Sequence, residues 1–396
     1  MTPTRRAELI QTYRDGLLLD VLPFWLRHGW DREHGGVMTG VDRAGRVVET
    51  DKSLWFQGRA AWMYTTAYLT AGRRPEWLEF ATSCLEFIRR HGRAADGKLY
   101  FTVTREGRPL RMRRYVYSEC FAAIAFAAHA KATGEARSAE DATAAWATYL
   151  HHTFTPGVMP PKTDPETRPM QGVAPRMITM VTAQELRAHL GEVRVGGLTC
   201  TEWIDRAIGE IERYFLKPDL QVLLEIAGPN GEFLDHFDGR QLNPGHAIEA
   251  AWFILHEAKH RGRDPRLIRL GTTILDWMWA RGWDQEHGGI LYHVDVLGRP
   301  LQEYWHDMKF WWPHNETIIA TLLAWQLTGD AKYLDWHRQV HDWAYAHFPD
   351  REHGEWYGYL HRDGSVSSQL KGGTWKGPFH LPRMQWYCWQ LLAEQG

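Results

Sequence analysis

Apolar residues recur at three- and four-residue spacing along almost the whole chain. After Asp264 and Pro265, for example, one helical face carries Leu267, Leu270, Ile274, Leu275 and Met278. Such spacing places side chains on one side of an α-helix, so it predicts a helix wherever it occurs. The predicted helices, roughly twelve in number, lie near residues 5–27, 54–70, 76–91, 118–132, 140–152, 177–190, 246–260, 315–328, 332–347 and 382–394, and in the segments after Thr201 and after Pro265.

Short polar stretches with glycine turns separate the predicted helices. Two of them, Gly97–Gly107 and Gly289–Gly298, read as β-hairpins because apolar and polar residues alternate between glycines. We expect them to be insertions in a helical protein, since no longer strand pattern accompanies them that could build a central sheet.

A loop sequence is repeated. Trp30–Gly36 reads Trp-Asp-Arg-Glu-His-Gly-Gly, Trp283–Gly289 repeats it with one change, and a third copy runs from Asp350 to Gly354. Each copy follows a helical segment and precedes an extended one, as expected of a repeated helix-loop unit. The histidines of the three copies are expected to fix these loops rather than to act in catalysis: His34, His287 and His353.

Twelve helices in paired repeats predict an all-α fold, an (α/α)6 barrel. In this toroid six inner helices are surrounded by six outer ones, and a funnel opens at one end. The length of 396 residues alone would allow two or three domains. Because no Gly/Ser-rich or Pro-rich linker interrupts the periodic segments, we expect one domain over residues 1–396.

The charge, the cysteine content and the apolar segments argue against several classes of protein. The formal net charge is −2 and no long basic run occurs, which argues against nucleic-acid binding. The four cysteines are far apart and form no CxxC pair, so neither a zinc site nor a disulfide framework is expected. The N-terminal residues lack a signal-type apolar core, and no segment is long and apolar enough to span a bilayer. A cytoplasmic protein that does not bind membranes is therefore expected.

Tryptophan is unusually abundant, with 21 residues. Aromatic rings pack against the C–H faces of sugars, so this composition is compatible with a carbohydrate site, although most of the rings are expected to be packing core.

The stretch from Asn243 to Trp252 carries the first candidate chemistry. Asn243 and Pro244 predict a helix start, which places His246 in the first turn and Glu249 on the same face. The partial positive charge at a helix start disfavours imidazolium. We therefore expect His246 to be neutral near pH 7, with Glu249 as an orienting carboxylate, which is the profile of a general base.

Four other polar clusters lie at predicted helix starts and are flanked by aromatic residues. Taken singly, a histidine in such a position is more often a capping or core group than a catalyst. In an (α/α)6 ring, however, the inner helices begin at one rim, so the clusters should converge there. They contain Arg59 after Trp55; Tyr117 and Glu119; Lys309, Trp312, His314 and Glu316; and Trp375, Lys376 and His380.

These motifs closely resemble the N-acylglucosamine 2-epimerases, also called renin-binding proteins. The resemblance extends over nearly the whole chain. The segments that carry it are Asn243–Trp252, Met308–Glu316, Lys371–Arg383, Trp55–Arg59, Ser118–Phe121 and Gly354–Leu360. Membership of this family implies an (α/α)6 barrel, in agreement with the fold predicted from the repeats.

The resemblance implies inversion at C2 of an open-chain aldose through an enediolate, with N-acetyl-D-glucosamine and N-acetyl-D-mannosamine as the epimers. The matching histidines, His246 and His380, would remove and return the proton on opposite faces. Arg59 would neutralise developing charge, and Glu249 would hold His246 or Arg59. The expected substrate-binding residues are Glu119, Tyr117, Trp312, His314, Glu316, Lys309, Trp375 and Met180. No metal or cofactor is required by this route.

Several alternatives stay open. Cellobiose 2-epimerases and related aldose-ketose isomerases resemble the chain more distantly and carry a further histidine in the helix where this chain has Met180, which favours the N-acyl branch. Free sugars such as mannose or glucose, or isomerisation to a ketose, would use the same intermediate. A glycoside hydrolase of the same fold would need an acidic pair drawn from Glu119, Glu249 and Glu316, and a pure binding module would need no catalyst.

Two expectations concern regulation and assembly. Enzymes of this family are often activated by ATP, but the chain lacks a GxxxxGK[ST] loop, so ATP is expected at most as an effector without a recognisable site. The resemblance also implies a homodimer.

Overall fold

The computed structural model describes residues 1–394 and contains the helices that the apolar periodicity predicts. The helices in chain order are α1 Pro3–Asp15, α2 Leu22–His28, α3 Leu54–Thr70, α4 Pro75–His91, α5 Tyr117–Thr133, α6 Ala136–Phe154, α7 Ala174–Leu190, α8 Cys200–Glu210, α9 Phe237–Arg240, α10 Pro244–His260, α11 Pro265–Gly282, α12 Trp311–Thr328, α13 Ala331–His347 and α14 His380–Ala393. The first predicted helix is divided, since a π-helical segment, Gly16–Val21, separates α1 from α2. The single-turn helix α9 was not predicted.

Six helices form a closed inner ring. Helix α3 packs against α5, α5 against α7, α7 against α10, α10 against α12, α12 against α14, and α14 returns to α3. Each inner helix also packs against an outer one: α4 lies on α3, α6 on α5, α8 on α7, α11 on α10, α13 on α12, and α1 on α14. The predicted (α/α)6 barrel is confirmed.

Burial separates the two layers. The inner helices α5 and α12 are buried continuously from Ser118 to Ala130 and from Trp311 to Ala324, because neighbours surround them on every side. Outer helices such as α4 bury one face and expose the other, as amphipathic surface helices do. Helix starts use local capping: the Ser53 side chain accepts the Phe56 N–H, and Asn243 accepts the His246 N–H at 3.0 Å.

The strands are short and form only two- and three-stranded sheets among the described residues. They are β1 Gly40–Val41, β2 Val47–Glu49, β3 Lys52–Ser53, β4 Thr102–Val103, β5 Pro109–Arg111, β6 Gln171–Gly172, β7 Arg194–Val195, β8 Leu198–Thr199, β9 Leu216–Lys217, β10 Val222–Leu223, β11 Ile226–Ala227, β12 Gln241–Leu242, β13 Val294–Asp295, β14 Lys309–Phe310, β15 Tyr359–Leu360 and β16 Val366–Ser368.

The two predicted hairpins fare differently. The first is displaced toward the C-terminus, because β4 and β5 pair around a turn at Thr104–Arg108. The second prediction is wrong: β13 pairs with β12, more than fifty residues earlier in the chain, and so closes no local hairpin. Period-two patterning alone did not reveal that distant partner.

Aspartates, and not the histidines that were expected to do so, fix the three repeated loops. In each copy the aspartate accepts two backbone N–H groups of its own loop and binds a buried lysine and an arginine. The lysine and arginine partners are Lys52 and Arg105 for Asp31, Lys309 and Arg362 for Asp284, and Lys371 and Arg43 for Asp350. Within residues 1–394, the side chain of each loop histidine makes its one ion-pair contact with the preceding glutamate, at 3.6 Å. Arg43 and Asp350 join the two ends of the ring.

All four cysteines are buried as free thiols. Within residues 1–394, no helix combines the length and the apolar character needed to cross a bilayer.

Candidate active site

A cavity of about 910 Å³ opens at the end of the ring where the inner helices begin. Its size lies near the upper end of the range of small-molecule sites, roughly 300–1,000 Å³. Residues from five of the predicted clusters meet on its wall, so their expected convergence is confirmed. The predicted site residues that line it are Arg59, Tyr117, His246, Glu249, Trp312, Trp375 and His380.

His246 lies in the first turn of α10 and is held by Glu225. Its Nδ1 is 3.1 Å from both carboxylate oxygens of Glu225, and its ring packs on Trp312 with centroids 4.9 Å apart. Since a carboxylate accepts, Nδ1 carries the proton and Nε2 is left for the cavity. The expectation that Glu249 orients His246 is wrong, because Glu249 hydrogen-bonds Arg383 instead.

The charge of His246 also differs from the expectation. Burial is the largest influence and favours the neutral ring, but the carboxylates of Glu225, Glu249 and Glu316 together outweigh it and raise the pKa of His246 above its ordinary 6.5. The partial positive charge of the helix start led us to expect a neutral imidazole. The opposite effect of the Glu225 carboxylate, which contacts the ring directly, is stronger. The environment of His246 therefore favours the protonated ring.

His380 is the first residue of α14 and lies in a different electrostatic environment. Its Nδ1 is 2.7 Å from Oε1 of Glu316, which again leaves Nε2 free. Burial, followed by the nearby cations of Arg59 and Arg383, holds the pKa of His380 well below 6.5. Its ring centroid is 5.8 Å from that of Trp312, the same ring on which His246 packs. The two histidines thus flank one region with opposite preferences for the proton.

Arg383 joins the acidic residues of the site. Its Nη2 is 2.6 Å from Glu249 and 2.7 Å from Glu316, and the indole N–H of Trp252 donates to the other oxygen of Glu316 at 2.8 Å. Glu249, Glu316 and His380 offer atoms close enough to hold a metal ion. The guanidinium of Arg383 already bridges the two carboxylates, so the protein itself supplies the cation that balances them.

Arg59 faces the cavity, and no carboxylate within residues 1–394 lies in hydrogen-bond contact with it. Its guanidinium carbon lies 4.3 to 4.7 Å from the ring centroids of Trp55, Phe121 and Phe379, and its Nε has no hydrogen-bond partner within residues 1–394. Burial lowers the pKa of Arg59 to about 9, partly opposed by Glu249. A desolvated arginine held only by aromatic faces is available to bind oxygen atoms of a ligand.

Two predicted sugar-binding residues support backbone loops instead. The Glu119 carboxylate accepts the Leu99 N–H at 2.6 Å, and Nε2 of His314 accepts the Ile290 N–H at 2.9 Å. Both side chains are buried away from the cavity wall. Burial raises the pKa of Glu119 to about 7 and lowers that of His314 to about 3.

Three further predicted contacts are also absent from the wall. Lys309 is fully buried in its ion pair with Asp284. Met180 points away from the cavity, which α7 lines with Met177 and Val181 instead. Glu316 lies behind the wall and reaches the site only through His380, Arg383 and Trp252. Helical phase and loop anchoring, rather than a ligand, account for these positions.

The sequence reasoning missed Glu225 and the role of Arg383. Glu225 stands in the apolar run from Val222 to Ala227, and a lone carboxylate in such a run is seldom without a partner. That was the available signal. Arg383 was part of a recognised motif, but nothing in the sequence assigned it to two glutamates on different helices.

The sequence matches known proteins over most of its length. A model of the family described as N-acylglucosamine 2-epimerase (GlcNAc 2-epimerase) matches residues 35–381. The N-acylglucosamine 2-epimerase of Mus musculus is 36% identical over 384 residues, covering 94% of this chain and 89% of the mouse chain. The Homo sapiens enzyme of that name is 35% identical over 402 residues, covering 98% of this chain and 92% of its own.

Among solved structures, cellobiose 2-epimerase from Spirochaeta thermophila DSM 6192 superposes with a TM-score of 0.83. The alignment covers 99% of this chain and 98% of that chain at 21% identity. At this identity the likeness concerns the fold, and it extends over the whole ring.

Proposed function

The chain belongs to the N-acylglucosamine 2-epimerase family, and we propose that it interconverts N-acetyl-D-glucosamine and N-acetyl-D-mannosamine by moving the proton on C2 of the open-chain sugar. It is an isomerase of the carbohydrate epimerase type. The observation that carries the proposal is the pair of cavity histidines, His246 and His380, each with Nδ1 on a carboxylate and Nε2 free.

The two histidines begin in complementary states. His380, whose pKa is lowered, is the neutral base that takes the C2 proton, and His246, whose pKa is raised, is the acid that returns a proton to the opposite face. After one turnover the protonation states are exchanged, and solvent restores them once the product leaves. The reverse reaction uses the same groups with the roles interchanged.

Removal of the C2 proton places negative charge on O1 of the former aldehyde. With an N-acyl group on C2 the intermediate is an enolate; it is an enediolate only when C2 carries a hydroxyl. Arg59, which contacts no anionic partner in the described part of the chain, supplies a preorganised positive charge for this oxygen. We assign packing against the sugar chain to the aromatic rings of Tyr117, Trp312 and Trp375, which line the cavity.

Proton exchange at C2 tests the proposal directly. We expect incubation of either N-acetylated epimer in D2O to yield both epimers with deuterium at C2, as followed by NMR. Glucose, mannose and fructose, assayed in parallel, establish whether the N-acyl group is needed and whether any ketose forms. Conversion without deuterium uptake, or cleavage of a glycosidic bond, would contradict a proton-transfer epimerase.

The Glu225→Gln variant tests the proposed state of His246. Removing the Glu225 carboxylate takes away the largest influence that raises the pKa of His246 and leaves burial less opposed, so this pKa is expected to fall. Wild-type His246 stays protonated to a higher pH than the variant. We therefore expect the limb of the kcat/KM profile that reports this group to move to lower pH, with a loss of about 10–100-fold at alkaline pH, the cost of removing carboxylates that orient functional histidines in metal sites.

Initial rates from each epimer across the range from about pH 5 to 9 provide the measurement. Glu232→Gln is the matched control, since this exposed glutamate bonds only Asn230 and its own loop. An unchanged profile in the Glu225 variant would mean that Glu225 does not set the charge of His246.

The arrangement of the acids disfavours the glycoside hydrolase alternative. Glu249 and Glu316 are both bound to Arg383, and Glu119 anchors Leu99 away from the cavity. No two of these three carboxylates therefore face each other across a free space in which a glycosidic bond could lie.

We further propose that the reaction requires no metal and no cofactor. ATP is proposed only as an effector, and adding it to the assay tests this. The homodimer and the cytoplasmic location stay predictions.

A further inference from the structure

The third copy of the repeated loop has a glutamate where the other two copies have a glycine with a positive φ angle. Gly36 and Gly289 have φ angles of +77° and +74°, and the corresponding residue of the third copy is Glu355 with φ of +57°. Left-handed backbone favours glycine because a Cβ atom crowds the neighbouring carbonyl. The Glu355 N–H donates to Asp20 at 2.8 Å, which helps to hold this conformation.

The side chain opposite this position differs in the same copy. Five residues after the buried lysine of each copy stands the residue that supports the loop, namely Gln57, His314 or Lys376. Gln57 and His314 are uncharged and each accepts a backbone N–H, of Val37 and of Ile290. The ammonium group of Lys376 cannot accept a hydrogen bond from the backbone. It donates to the Glu355 carboxylate instead.

The third copy thus differs from the other two at both positions, with Glu355 and Lys376 in place of uncharged residues. Burying each of these charges is unfavourable. Glu355 is fully buried and Lys376 is 1% exposed. One carboxylate oxygen, Oε1 of Glu355, has no hydrogen-bond partner within residues 1–394. Burial raises the pKa of Glu355 and lowers that of Lys376, as expected when two charges are taken from water. Two sister copies in the same molecule do without this pair, so the fold of the loop does not require it.

The third copy alone leads into the helix that begins with His380. Lys376 stands four residues before it, and its Nζ also donates to the Lys371 carbonyl at 3.0 Å. The same Nζ is 5.9 Å from the centroid of Trp311, whose ring in turn lies edge-on to His380 at 6.1 Å. Lys376 does not line the cavity, so any effect on chemistry must pass through the residues that it holds.

We propose that the buried Glu355–Lys376 ion pair is a positioning device for His380, which fixes the segment from Lys371 to the start of α14 and thereby the place of the imidazole. Glu355 and Lys376 are positioning residues and not catalytic ones. The inference rests on the proposed function for its kinetic consequence, but the position of the imidazole can be measured without a substrate.

The double variant E355G/K376Q tests this inference, because it rebuilds in the third copy the Gly36 and Gln57 pair of the first. Each single variant leaves one buried charge unpaired and is expected to melt below wild type. The double variant removes both charges and the strained φ, so we expect its melting temperature to match or exceed that of wild type. Its kcat is expected to fall about 100-fold, the effect of misplacing a reacting group by about 1 Å, while KM changes far less.

NMR of protein with labelled histidine gives a second readout. We expect the imidazole shifts and titration of His380 to change in the double variant and to stay as in wild type in H314Q, which makes the Gln57-type substitution in the second copy. H314Q is also expected to keep the wild-type kcat. If the wild-type protein exchanges no C2 proton, the proposed function fails, whereas the His380 signal still tests the positioning role.

Two results would overturn the proposal. A double variant with wild-type kcat and an unchanged His380 signal would show that the pair does not position the histidine. A double variant that melts well below wild type would show that the pair serves the fold and not the site.

Discussion

Replacement of either cavity histidine by asparagine, in H246N or H380N, is expected to lower the rate of net epimerisation by roughly 10²–10⁴-fold, the usual contribution of a general acid or base. Each variant keeps one histidine on one face of the sugar. This histidine can remove the C2 proton, exchange it with solvent and return a hydrogen to the same face. We therefore expect each variant still to exchange the C2 hydrogen of one epimer without inverting it. The two variants should act on opposite epimers.

NMR of both N-acetylated epimers in D2O provides the measurement for these variants. His260→Asn, at the exposed end of α10, is the control and should behave as wild type. Substantial net epimerisation by either site variant would contradict a two-histidine mechanism, and exchange of the same epimer by both variants would show that the histidines do not serve opposite faces.

Replacement of Arg59 by methionine is expected to separate activity from stability. Loss of a preorganised charge at a developing oxyanion costs about 10²–10³-fold in kcat. Among residues 1–394 the buried guanidinium has no carboxylate in hydrogen-bond contact, and its neighbours are the rings of Trp55, Phe121 and Phe379. Methionine suits such an aromatic cage, so the melting temperature should stay or rise while turnover falls.

Arg32→Met is a matched control, because this arginine also stacks on a ring, 3.8 Å from the Trp30 centroid, but lies outside the cavity. The control should keep full activity. If R59M kept wild-type kcat, Arg59 would have no part in stabilising the intermediate; if it melted far below wild type, the arginine would be a structural element of the ring.

The ring could be predicted from the sequence because its information is local. Apolar periodicity marks each helix, and the repeated Trp-Asp-x-Glu-His-Gly-Gly loop marks the unit that recurs. The position of His246, capped by Asn243 three residues before it, is equally local. Helix starts at one rim then bring the candidate residues together without any knowledge of their contacts.

The pairings within the site could not be predicted in this way. Glu225 reaches His246 over 21 residues and Glu316 reaches His380 over 64, and no spacing rule relates such positions. Side-chain type also misled, since Glu119 and His314 resemble catalytic groups but anchor buried backbone. A polar residue at the start of an inner helix can either face the cavity or anchor a buried loop. Its position around the helix axis decides which of the two it does.

Closure of the ring bears on how the protein is made. Helix α14, which carries His380, completes the ring between α12 and α3. Asp350, near the C-terminal end of the chain, forms an ion pair with Arg43, near the N-terminal end. A ribosome delivers Arg59 early, His246 past the midpoint, and His380 last. In the proposed mechanism, a nascent chain that lacks α14 carries His246 without its opposed partner, so C2 chemistry begins only when the final inner helix docks against the first.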